Sequence, residues 1–121
     1  MKSVKPASAI KKAQREAELH RVVAELFTQQ ALDDQRLRGV YVNRVSLNAD
    51  RSICTVFFFN EDGKARFDEI FPTLILYKPS LRHAVAQKVA GRYTPDLVFR
   101  FDEQYAKQLA LEQLIESVKN R

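Results

Sequence analysis

The chain has 121 residues, of which 45% are hydrophobic, with a formal net charge of +5 and one cysteine. That length allows one modest hydrophobic core, and the composition excludes wholesale disorder. A single thiol excludes an intrachain disulfide and a cysteine-rich zinc site, while the excess of Lys and Arg favours an acidic partner, nucleic acid ahead of membrane.

In chain order, residues 1–6 read as a loose tail without the apolar run of a secretory signal. One long helix is expected from about Ser8 to Leu32, because Leu19, Val22, Val23, Leu26 and Phe27 recur at the spacing of one helix face. "DDQRLRG" ends it, with Gly39 as the break. Two strands follow, "VYVNRVSLN" at 40–48 and "SICTVFFFN" at 52–60, joined by a hairpin-like turn at "ADR". The helix is expected to bury Leu19, Val22, Val23 and Leu26 against strands containing Val45, Leu47, Phe57 and Phe59. Cys54, within "SICTVFFF", reads as a buried, reduced thiol, which points to the cytoplasm. No apolar run approaches the length of a membrane span.

"EDGK" at 61–64 reads as a loop. A second helix is expected from about Asp68 to Lys78, with Pro72 tolerable only near its first turn. Pro79 separates it from a third, about Ser80 to Ala90, which Gly91 stops. "DLVFRFD" alternates Leu97, Phe99 and Phe101 against Val98 and Arg100, the period of a half-buried strand. From Glu103 to the end, a last helix carries an apolar stripe of Ala106, Leu109, Ala110, Leu114, Ile115 and Val118, which either packs on the domain or faces a partner.

This order predicts one α+β domain over residues 1–121, a small sheet with helices on one face. Its α-β-β-α-α-β part, followed by a C-terminal helix, matches the type II KH arrangement, where two helices flank a turn that approaches a nucleic-acid backbone. KH domains usually place GXXG in that turn, because only glycine lets the main chain come so close. Gly39, Gly63 and Gly91 are the only glycines and make no GXXG, so the helix kink here is of another kind.

The kink opens a basic segment, "LYKPSLRHAVAQKVAGRY" at 76–93, which holds Lys78, Arg82, Lys88 and Arg92 without one acid. On a helical wheel Leu81, Val85 and Val89 form an apolar stripe with Arg82, Lys88 and Arg92 along its edges. Such cations either snorkel around a buried stripe or neutralise phosphates, and the absence of acids favours RNA. Lys11, Lys12 and Arg15, with Arg21, form a second basic cluster on the part of the first helix that projects beyond its apolar stripe. Glu16 and Glu18 oppose it, so a solvated face competes with RNA contact there. Arg36 is expected to hold Asp33 or Asp34, and Tyr41 and Tyr93 to pack rather than stack on bases.

Catalysis finds little support. His20 and His83 have no metal-ligand spacing, and no glycine-rich phosphate loop or nucleophile elbow occurs. Asp50, Asp62 and Asp68 read as turn and capping residues. Neither an enzyme nor a cofactor or metal is expected.

Four pieces carry a resemblance to a known family: "DQRL" at 34–37, "VSLNAD" at 45–50 leading into "CTVFF", "LR" at 81–82, and "RYTPDLVFRFD" at 92–102. In order and spacing they resemble the ribosome-binding factor A family, which has the KH fold without GXXG. The last piece is similar to that family's R-x-x-P-E/D-L-x-F-x-x-D. Two features depart from it: Tyr77-Lys78-Pro79 stands where the family usually kinks at Ala-x-Gly or Ser-x-Gly, and Gln35 replaces a usual proline. The resemblance implies a monomeric, non-enzymatic factor that binds the free small (30S) ribosomal subunit and assists late maturation and processing of its 16S rRNA, notably in the cold. It implies no membrane partner, and release by assembly GTPases or subunit joining. The alternatives are a basic protein-interaction adaptor, docking through the last helix, or another nucleic-acid-binding KH-like domain.

Overall fold

The computed structural model describes residues 7–89 and 94–120. A long helix α1 (Ala7–Gln30) leads through a 3₁₀ turn (Gln35–Leu37) into strands β1 (Tyr41–Leu47) and β2 (Ile53–Phe59). Helices α2 (Lys64–Ile75) and α3 (Lys78–Lys88) precede β3 (Asp96–Phe101), and α4 (Glu103–Lys119) completes the chain. This is the expected α+β order. The sheet runs β1-β2-β3, with β1 and β2 antiparallel and β2 and β3 parallel.

Register decides which side chains meet the helices. Leu47, Cys54 and Leu97 lie side by side across the three strands, as do Val45, Val56 and Phe99, and all six are buried. An extra residue, Asn43, bulges out of β1 between Val42 and Arg44. The bulge resets the alternation, so Val42 joins Val45 and Leu47 on the inner face. Leu19, Val22, Val23, Leu26 and Phe27 of α1 are buried, and Phe27 meets Phe58 edge to face at 5.1 Å. Leu81, Val85 and Val89 are also buried, as their helical spacing requires.

The pairing corrects one expectation. Phe57 does not face α1. With Val56 opposite Val45, the even residues of β2 point inward, and Phe57 lies half-buried on the opposite face beneath Arg44. Phe59 is buried on that side too, against Tyr105 of α4 at 4.8 Å.

Helix α2 also starts earlier than expected. Gly63 has φ 87° and ψ −175°, a backbone conformation open essentially to glycine alone, and turns the chain so that the helix begins at Lys64. Pro72 therefore sits inside α2 rather than in its first turn. Its missing N–H removes the bond to the Asp68 carbonyl, and both residues are exposed, so water can satisfy that oxygen. Asp68, expected as a cap, lies within the helix and pairs with Lys64 at 3.1 Å.

The apolar stripe of α4 divides. Ala106 and Leu109 pack on the core, whereas Leu114, Ile115 and Val118 are 61%, 48% and 59% exposed, and Leu111, outside the expected stripe, is 57% exposed. Replacing fully buried Leu81 by Ala should cost about 2–5 kcal/mol, by lost transfer energy and the cavity left. Leu114→Ala should stay within about 0.5 kcal/mol of the parent. Denaturant unfolding of both variants checks the contrast, and equal losses would show that α4 is packed.

Candidate nucleic-acid interface

The site begins at the break between α2 and α3. The last turn of α2 tightens, with the Leu76 N–H donating to Thr73 O at 3.1 Å and the Tyr77 N–H to Leu74 O at 3.0 Å. Pro79 falls in the first turn of α3, where a missing N–H costs nothing. Helix α3 then starts with the Leu81 N–H donating to Tyr77 O at 2.9 Å. Residues 71–88 thus form no single helix, and Ala90 and Gly91 lie outside the described residues.

Side chains hold the break in place. The Tyr77 hydroxyl donates to Asp34 Oδ2 at 2.6 Å, and the Ser80 hydroxyl to Gln30 Oε1 at 3.0 Å. Asp34 also accepts from Arg36, at Nε and Nη2, and from the Arg36 backbone N–H. Arg36 first and Tyr77 second hold the Asp34 carboxyl well below the usual carboxylate range. As expected, Arg36 holds an aspartate of its own turn.

The basic residues do not form one cluster. Lys78 is half-buried at the start of α3, two residues before Ser80, whose hydroxyl reaches Gln30 at the end of α1. Lys11 is 19 residues earlier on α1, roughly 28 Å along the helix axis. Arg82 is exposed and pairs with Asp96 Oδ1 at 3.1 Å, tying α3 to the start of β3. Lys88 is exposed in the last turn of α3, where its charge suits the helix dipole. Arg92, with Tyr93, lies outside the described residues.

The start of α1 is held to the sheet rather than projecting from it. Glu16 Oε2 accepts the Leu47 N–H at 2.6 Å, Lys12 and Arg15 are half-buried, and Arg15 pairs with Glu18 at 3.5 Å. Beneath the Glu16 contact, burial first and the Glu16 charge second push the Cys54 thiol up to about 12, so it stays protonated. Lys11, Arg15 and Glu18 line a groove of about 420 Å³ with Leu47, Arg51 and Pro95. Asp96 follows Pro95, so the groove brings the start of α1, the β1–β2 turn and the partner of Arg82 to one end of the molecule.

Arg51 was not legible as a neighbour of the α1 cations. It has φ 61°, the left-handed conformation that usually selects Gly or Asn and costs another residue about 1 kcal/mol or more. The signal in the sequence was the lack of glycine in the "ADR" turn. A second arrangement also escaped notice. Arg44, Phe57 and Arg100 stand side by side on the open face of the sheet, with the Arg44 guanidinium 3.8 Å from the Phe57 ring centroid.

Arg44 also grips Asp102, which is 0% exposed, through Nε at 2.8 Å and Nη2 at 3.1 Å. Asn43 donates to Asp102 at 3.0 Å, and Asp102 caps α4 by accepting the Tyr105 N–H at 3.1 Å. Burial alone would raise the Asp102 carboxyl. Its hydrogen bonds from Arg44, Asn43 and Tyr105 outweigh that and lower it.

Among the described residues no group of three potential metal ligands gathers, and no helix is long and apolar enough to cross a membrane. His83 is exposed and its Nε2 faces Gln87 at 3.2 Å.

A three-stranded sheet covered by α1, α2 and α3, with the helix pair broken by proline instead of GXXG, makes this a KH-like domain of type II order. A family model described as "Ribosome-binding factor A" matches residues 11–115. Ribosome-binding factor A of Rhodopseudomonas palustris is 34% identical over 95 residues, covering 77% of this chain and 69% of that one. That of Prochlorococcus marinus is 28% identical over 98 residues, covering 79% and 74%. The crystal structure of ribosome-binding factor A from Thermus thermophilus is similar at a TM-score of 0.63 and 32% identity, over 74% of this chain and 94% of that one. A homology model of the Thermus protein, fitted into a cryo-EM map of its 30S complex, is similar at 0.58 and 31% identity, over 71% and 89%. The chain belongs to the ribosome-binding factor A family.

The Asp102 network sets a pH dependence. A carboxyl lowered in the folded state stabilises fully above its unfolded pKa, about 4, and that contribution drains away as pH falls through the depressed folded value. Asp102→Asn should therefore cost about 1–3 kcal/mol at pH 7, by loss of charge-assisted hydrogen bonds to a buried group. The gap from the parent should narrow below pH 4. Denaturant unfolding across pH 3–7 measures it, and a gap independent of pH would contradict this account.

Proposed function

We propose that this chain is an assembly factor that binds the free small ribosomal subunit and assists late maturation of its 16S rRNA without catalysing a reaction. The observation that carries this reading is membership of the ribosome-binding factor A family, supported by likeness to the Thermus chain fitted into a map of its 30S complex. In this reading, binding energy holds one RNA conformation until an assembly GTPase or subunit joining displaces the factor, a role of most use in the cold, where misfolded RNA escapes slowly. The factor acts as a cytoplasmic monomer, with residues 1–121 as one domain.

Lys11, Lys12, Arg15, Lys78, Arg82, Lys88 and Arg92 are assigned to phosphate contacts. Helix-borne Lys and Arg suit that task, because they neutralise phosphates and position a protein without reading sequence. A second reading, a basic protein-interaction adaptor, is favoured by one observation: the solvent-facing stripe of Leu111, Leu114, Ile115 and Val118 on α4.

Sedimentation of cell extract separates the two. The assembly factor travels with free small subunits and is missing from joined ribosomes, whereas an adaptor stays in the light fractions. In titrations of purified small subunits, reversing Lys11 and Lys88 to Glu should weaken binding while circular dichroism stays unchanged. The slope of log affinity against log salt should become shallower by about one for each phosphate contact removed. An unaltered slope would remove both residues from the interface.

A further inference from the structure

We infer that the groove lined by Lys11, Arg15 and Arg51 is a binding site for a phosphate of an RNA backbone, with Arg51 presented to it by the β1–β2 turn. The inference rests on the RNA-binding reading above and adds a residue and a place to it.

The backbone of the β1–β2 turn has its own ties. Asn48 and Asp50 secure it: Asn48 O accepts the Arg51 N–H at 3.0 Å, Asn48 Oδ1 accepts the Ile53 N–H at 2.9 Å, and Asp50 Oδ1 accepts the Ser52 N–H at 3.0 Å. Hairpin loops with a left-handed residue at this point ordinarily carry glycine there. The chain instead places its most phosphate-matched side chain in an unfavourable backbone conformation, beside two other cations. Local strain of this kind concentrates at functional sites.

Each acid around the groove has a partner, Glu18 and Asp96 a cation, Glu16 and Asp50 a neutral donor. Glu18 pairs with Arg15, Glu16 accepts from the Leu47 N–H, Asp50 holds Ser52, and Asp96 holds Arg82. In the lining itself three cations, Lys11, Arg15 and Arg51, stand with one acid, Glu18, which pairs with Arg15. Leu47 and Pro95 give apolar walls, which strengthen charge interactions by excluding water. A groove of about 420 Å³ admits a phosphate with part of its sugar.

Arg51→Gly is the discriminating variant, because φ 61° suits glycine and the fold should survive. The full-length variant should stay folded by circular dichroism, yet bind purified small subunits roughly tenfold more weakly per folded molecule, the scale of one lost charge-assisted contact. Its salt slope should be shallower by about one, and Arg51→Lys should keep the parent slope. If Arg51→Gly binds as the parent does, at the same slope, the groove is not the site and the ribosome reading stands. If it melts lower and binds unchanged per folded molecule, Arg51 is structural and the inference fails. A parent protein that binds no small subunits at all sinks the functional reading, and this site with it.

Discussion

The carboxylate of Asp34 takes donors from the Arg36 backbone, the Arg36 guanidinium and the Tyr77 hydroxyl, and so joins the turn after α1 to the break before α3. A proline break alone leaves the direction of the next helix open, because it removes a bond without prescribing an angle. Here the angle is prescribed from outside the helices. Tyr77 is tied to Asp34, and Ser80 to Gln30 at the end of α1. With both ties in place, Leu81 and Val85 enter the core fully, and Arg82 reaches Asp96 at the start of β3. The burial of α3, and hence the placement of its cations, depends on this small polar junction.

The parts legible in the sequence are those where one local period decides. The stripes at 19–27 and 81–89 and the alternation at 97–101 each name their buried residues directly, and the proline break fell where the ring demanded. What was not legible depended on pairing between strands. Phe57 looked like core until the register put Val56 opposite Val45. The bulge at Asn43 follows no residue-type rule, although it aims Asn43 and Arg44 at Asp102. The start of α2 was missed because Pro72 outweighed Gly63, although the glycine had the stronger local reason. In the site, charge type was visible but convergence was not. Only the fold shows that Lys11 and Arg15 share a groove with Arg51, and that Lys78 does not.

Asp102 has the corresponding role at the other end of the sheet. It is a buried charge at the exit of β3, bound by the β1 bulge and by the first turn of α4. Removing any partner leaves a desolvated carboxylate, so the network fixes both the end of the sheet and the departure of α4. Arg44 completes this by lying on Phe57, which shields an aromatic ring on the open face. The first turn of α4 is thereby capped and packed, while Leu111, Leu114, Ile115 and Val118 further along stand in solvent.

The identity of the break bears on how such a domain meets RNA. A glycine kink works by bringing main-chain N–H groups close to a backbone, and proline removes one of those groups and adds a ring. The hydroxyls at this break are already engaged, Tyr77 with Asp34 and Ser80 with Gln30, which leaves Lys78 as its one cation. A glycine-type grip is therefore unavailable at this point of the fold, and on the RNA-binding reading proposed above the contact falls to long side chains. Those side chains are densest where the start of α1 meets the β1–β2 turn, not at the break. On that reading, a phosphate chain would meet the end of the sheet and the flank of α3, with side-chain charge in place of the backbone grip of a GXXG turn.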